Sequence, residues 1–119
     1  MSELRILLVD DDAQFLEATE YMLKYENYEV ITAKNGEEAI KKYDESVPDI
    51  VLMDLKMPVM NGYDAFFKIK SDNPQAKIVF TSAYAINDKE FWKAKDSGLF
   101  GLLTKPFDLN ELNKIITSI

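Results

Sequence analysis

The chain has 119 residues, 47% hydrophobic and 29% charged, with a formal net charge of −7, which describes one domain with a single core spanning residues 1–119. It contains neither cysteine nor histidine, so disulfides, thiolate chemistry, Ser–His triads, imidazole metal sites and a phosphohistidine of its own are excluded. The acidic balance argues against nonspecific nucleic-acid binding; no apolar run approaches the roughly 20 residues of a membrane span, and no secretory pattern opens the chain, so the expected location is the cytoplasm.

In chain order, Leu4–Val9 is a continuous apolar run that predicts a buried strand, and it ends in Asp10-Asp11-Asp12. Asp12, before Ala13-Gln14, suits a helix N-cap, and Phe15, Ala18, Thr19, Met22 and Leu23 recur at helical spacing over roughly residues 13–25. Tyr28–Ala33 predicts a second strand, Asn35-Gly36 a turn and Glu37–Glu45 a second helix. Ile50–Asp54 is a third buried run, bounded by Pro48-Asp49 and Pro58. A loop, Met57–Gly62, leads to a helix near Tyr63–Ser71, which Asp72-Asn73-Pro74 ends. Lys77–Ser82 predicts a fourth strand; Asn87 or Asp88 starts a helix that stops near Ser97-Gly98. Phe100–Thr104 is the fifth strand, and Asp108 caps a last helix carrying Leu109, Leu112, Ile115 and Ile116.

Strands and helices that alternate at these lengths imply right-handed βαβ crossovers and a parallel sheet. All strand C-termini then lie on one edge, where open α/β sheets bind ligands. That edge gathers Asp10, Asp11, Asp54, Thr81, Ser82 and Lys105 from across the sequence. A carboxylate that ends a core strand is costly unless something compensates it. Clustered carboxylates suit Mg²⁺, a hard ion held by oxygen. With such an ion bound, Asp54 can act as a nucleophile toward phosphorus and form an aspartyl phosphate. The Ser82 hydroxyl and the Lys105 ammonium can hold the added phosphoryl oxygens. Alternation along a strand aims Thr81 and Ser82 to opposite faces, so only one can serve; Ser82 is expected because Ile78–Thr81 fill four strand positions before the small Ala83. Dinucleotide and P-loop glycine motifs are absent from the sequence.

Val9-Asp10-Asp11, Asp54 within Leu52-Met53-Asp54-Leu55-Lys56-Met57-Pro58, Asn61-Gly62, Ser82-Ala83 and Lys105-Pro106-Phe107 together resemble the receiver domain of two-component response regulators. The resemblance covers essentially the whole chain. It implies a flavodoxin-like, doubly wound sheet of five parallel strands in the order 2-1-3-4-5, with five helices. It further implies Asp54 as phosphoacceptor, with Mg²⁺ bound by Asp10, Asp11, Asp54 and the backbone carbonyl of Lys56. Ser82 would be the switch hydroxyl, and Lys105, joined by a cis bond to Pro106, would contact the phosphate. The partner implied is a histidine kinase or histidine phosphotransfer protein. A downstream protein, or a second copy of the chain, would dock on the face made by the fourth helix, fifth strand and fifth helix. On that face, the expected arrangement is Trp92 inward and Phe91 outward, the latter beside Leu102. Lys56 and Tyr84 are also similar to the small phosphorelay receivers of sporulating bacilli.

Two departures from the family pattern are visible. Leu102 stands three residues before Lys105, where an aromatic is common, and the Ser82–Gly98 segment is one residue longer than usual. Two other function classes compete. An Mg²⁺-dependent aspartyl-phosphate phosphohydrolase needs a second acid two residues after its nucleophile, and Lys56 occupies that position. A binding-only pseudo-receiver would have no need of the complete residue set.

Overall fold

The computed structural model describes residues 4–83 and 86–118; Tyr84 lies outside them. Strands β1 (Arg5–Val9), β2 (Glu29–Ala33), β3 (Ile50–Asp54), β4 (Ile78–Ser82) and β5 (Gly101–Thr104) alternate with helices α1 (Ala13–Tyr25), α2 (Gly36–Ser46), α3 (Gly62–Asp72), α4 (Lys89–Asp96) and α5 (Leu109–Ile116). The strands form one parallel sheet in the order β2-β1-β3-β4-β5. Alternation implied the parallel sheet, and its doubly wound, flavodoxin-like order is the one the family resemblance implied. Four strands start one residue later than the apolar runs suggested, because each run's first residue lies outside the ladder.

The period of two along each strand sorts the core into two layers. Leu7, Val9, Val51, Met53, Ile78 and Phe80 pack under α2, α3 and α4 through Ala39, Tyr43, Phe66, Ile69 and Ala94. Ile6, Leu8, Ile50, Leu52, Val79 and Leu103 face the other way, against Leu23 of α1 and Leu112 and Ile116 of α5. All five residues of β3 and of β4 are buried, whereas β2 at the sheet edge is mostly half-buried. That is why the central runs read as uninterrupted apolar sequence.

Each helix begins at a side-chain cap: Asp12, Asn35, Asn61, Asp88 and Asp108 each accept from a backbone N–H in the first turn. Of the two candidates at α4, Asp88 is the cap; Asn87 instead accepts from the Trp92 indole N–H at 2.8 Å.

The orientation of α4 reverses one expectation. Phe91 is buried and Trp92 is 50% exposed. The reason lies in the stripe each ring shares. Phe91 is three residues before Ala94, whose small side chain lies against the sheet, so both belong to the inner face. Trp92 has Lys89, Lys95 and Asp96 at the equivalent spacings, and Lys95 Nζ lies 5.1 Å from its ring centroid. The outward patch expected from Phe91 and Leu102 is therefore absent. Phe91 is core, and Leu102 is half-buried against the same cluster.

Candidate functional site

The C-terminal ends of β1 and β3 deliver Asp10 and Asp54 side by side, because the ladder pairs Val9 with Met53. Asp11, exposed beside Asp10, completes a group of three carboxylates with one oxygen from each within 4.8 Å of the others. Asp10 is 1% exposed. Its Oδ1 accepts from the Asp12 N–H at 2.9 Å, which turns the chain into α1. Asp10 Oδ2 lies 2.5 Å from Lys105 Nζ, and Asp54 Oδ1 lies 3.5 Å from the same ammonium. Lys105 reaches the cleft because its N–H donates to the Ser82 carbonyl at 2.7 Å, extending the β4–β5 pairing by one residue. The Lys105–Pro106 peptide bond is cis.

The loop after β3 is held close over Asp54. The Gly62 N–H donates to the Leu55 carbonyl at 3.0 Å, and a Cβ at Gly62 would come within 2.4 Å of the Asp54 carbonyl oxygen. Only glycine permits that approach. The same loop is tied to α2 through Gly36 N–H donating to Met60 O at 3.1 Å.

These elements enclose a cleft of about 1070 Å³ lined by Asp10, Asp11, Asp54, Lys56, Ser82 and Lys105, among others. Of the strand-edge residues gathered from the sequence, Asp10, Asp11, Asp54, Ser82 and Lys105 line this cleft and Thr81 does not. Thr81 is 1% exposed and stands in register with Asp54. Burial pushes the Asp54 carboxyl up, to about 6. Repulsion from Asp10 and, more weakly, from Asp11 adds to this; Lys105 and the Leu55 N–H oppose it. Lys105 therefore offsets the buried negative charge only in part, and the arrangement favours a further cation. Three clustered carboxylate oxygens are the donor set that a hard ion such as Mg²⁺ takes, so the residues present fit that ion.

Two residues were missed in the sequence, one lining the cleft and one beneath Lys105. Tyr63, on the first turn of α3, donates its hydroxyl to Asp88 Oδ1 at 2.9 Å and stacks edge-on with Phe80, centroids 5.3 Å apart. Phe15 of α1 lies under Lys105, with 4.3 Å between ammonium and ring centroid. Periodicity marks both as apolar helix positions and says nothing of these polar contacts.

A parallel sheet in this order, with a carboxylate cluster and a lysine at its C-terminal edge, defines a class of protein before any comparison is made. Residues 6–117 match the family described as the response regulator receiver domain, and the chain belongs to that family. It is 39% identical to the chemotaxis protein CheY of Thermotoga maritima over 116 residues, covering 93% of this chain and 96% of that one. A CheY-like receiver domain protein from Methanospirillum hungatei superposes with a TM-score of 0.90 at 29% identity, covering 98% of this chain and 93% of that one. The response regulator TrrA of Thermotoga maritima, solved in complex with Mg²⁺–BeF, superposes with a TM-score of 0.86 at 33% identity, covering 97% of each chain. Of several curated regulatory proteins that it also matches, the chain spans only 24%, 48% and 52% of the length. The protein is thus a receiver domain, a signalling module. No helix among the described residues is long and apolar enough to cross a membrane.

Proposed function

We propose that the chain accepts a phosphoryl group on Asp54 from a phosphohistidine of a partner kinase or histidine phosphotransfer protein, and that this modification changes which protein it binds. The observation that carries this reading is the placement of Asp54: buried, next to Asp10 and Asp11, and 3.5 Å from Lys105. An Asp54 carboxylate oxygen attacks phosphorus, the P–N bond of the phosphohistidine breaks, and the imidazole leaves with the electron pair of that bond. Asp10, Asp11, Asp54 and the Lys56 carbonyl would hold Mg²⁺, which when bound neutralises charge on the transferring group. Lys105 and Ser82 contact the phosphoryl oxygens of the product. The chemistry is confined to the chain's own phosphorylation and dephosphorylation, in a single domain located in the cytoplasm.

Partner exchange is assigned to the face of α4, β5 and α5, where Trp92 is the exposed large side chain. A downstream protein or a second copy of the chain is the occupant. The phosphohydrolase reading is disfavoured because Lys56 stands where its second acid is needed. The binding-only reading is disfavoured because Asp10, Asp11, Asp54, Ser82 and Lys105 all reach one cleft.

Acetyl phosphate with Mg²⁺ should add the mass of one phosphoryl group to the intact protein, and chelating the ion should abolish the addition. No addition from acetyl phosphate, together with none from any autophosphorylated histidine kinase of a purified panel, would contradict the proposal.

A further inference from the structure

We infer that Phe15 is a positioning residue for Lys105, its ring face giving the ammonium a second seat beside Asp10. The inference rests on the reading of Asp54 as phosphoacceptor with Lys105 at its phosphoryl group. The Lys105 side chain is 19% exposed, with Nζ 2.5 Å from Asp10 Oδ2, 3.5 Å from Asp54 Oδ1 and 4.3 Å from the Phe15 ring centroid. A partly desolvated ammonium over a ring face is attracted by the ring quadrupole.

The ring is itself held in place. Phe107, two residues beyond Lys105, meets it edge-on at 6.0 Å between centroids and 80° between planes. Both rings pack on the cluster beneath α1 and α5. The Phe15 N–H donates to the capping carboxylate of Asp12 at 3.2 Å. Phe15 is therefore fixed from the first turn of α1 and from the segment that carries Lys105.

Such a seat answers a conflict at Asp10. The carboxylate that holds Lys105 is also one of the three grouped as cation ligands. An ammonium on a flexible four-carbon stem that loses Asp10 to a cation would otherwise swing into water. The ring attracts it without competing for the cation. Being uncharged, the ring also does not repel incoming phosphoryl oxygens as another carboxylate would. Phe15 thus keeps Lys105 at the cleft in both circumstances.

The test compares the parent with Phe15→Leu, Phe15→Met and Phe15→Tyr, each checked for an unchanged fold by melting temperature. In NMR spectra the Lys105 ε-methylene should be shifted upfield by the ring in the parent and in the Tyr variant. That shift should vanish in the Leu and Met variants, with or without Mg²⁺. Half-saturation by acetyl phosphate should rise about three- to tenfold in the Leu and Met variants and return to within about twofold in the Tyr variant. In a Lys105→Gln background, Phe15→Leu should have no further effect. An ε-methylene shift that survives Phe15→Leu and Phe15→Met overturns the inference. So does an equal kinetic loss in the Lys105→Gln background, which would make Phe15 simple core. If Leu does not fold, Met decides. A parent that takes up no phosphoryl group would remove the Asp54 reading, and the NMR comparison alone would then decide the ring contact.

Discussion

At the scale of single residues, the cleft is an electrostatic conflict held by burial. The Asp54 carboxyl, ordinarily near 3.8, is pushed up to about 6. A carboxyl raised on folding makes the folded state bind the proton more tightly than the unfolded chain does. Its ionisation therefore costs stability fully above pH of about 6, and the cost fades as pH falls toward about 4. The amount is on the order of 3 kcal/mol at neutral pH. Asp54→Asn should accordingly raise the melting temperature of the metal-free protein at pH 7, and the gain should shrink at pH 4.5; a constant gain would assign it to something other than titration. Asp11→Asn should act the same way more weakly while lowering Mg²⁺ affinity, and a drop in metal-free stability would mark Asp11 as structural. Ser82→Ala should impair the response to phosphorylation, whereas Thr81→Val, away from the cleft, should leave that response intact; the reverse pattern would show the register to be off by one. The acids and Lys105 were legible in the sequence because a charge ending an apolar run is conspicuous. Phe15 and Tyr63 were not, because a phenyl ring beneath an ammonium and a phenol on a distant cap depend on contacts between separate elements.

At the scale of elements, caps and apolar runs were legible and facing was less so. Asp12, Asp88 and Asp108, read as helix starts, are caps for the local reason that their short side chains reach the first-turn N–H groups, whereas Asn35 and Asn61, read as turn and loop residues, cap α2 and α3 as well. Strand starts moved by one residue, since an apolar run does not reveal where ladder pairing begins. The two rings of α4 face the opposite way from the expectation, because Phe91 shares the inner stripe with Ala94 whereas Trp92 lies among charged residues. The corrected arrangement has a thermodynamic consequence. Phe91→Ala should destabilise the fold by about 3–5 kcal/mol, as for a large buried ring. Trp92→Ala should cost no more than about 0.5–1 kcal/mol, since it loses an exposed surface contact. Chemical denaturation measures both, and equal losses would contradict the assigned facing. Trp92→Ala should also weaken whichever partner docks on that face without altering phosphorylation by acetyl phosphate.

At the scale of the whole molecule, strand–helix alternation and crossover handedness imply a parallel sheet with all strand C-termini on one edge, while the order β2-β1-β3-β4-β5 was an expectation of the family resemblance. Absent residue types were as informative as present ones. The sequence has no histidine, which accords with the proposal that a partner supplies the phosphohistidine. The charge of −7 and the carboxylate cleft fit a module that draws in a divalent cation. The central claim is that Asp54 is the residue that carries the phosphoryl group. Its most direct test is to treat parent protein and Asp54→Ala with acetyl phosphate and Mg²⁺, digest both under acidic conditions, and locate the added mass by peptide mass spectrometry. The account predicts one modified peptide in the parent, with the mass on Asp54, and none in the variant; equal labelling of the two proteins, or the mass on another residue of the parent, would contradict it.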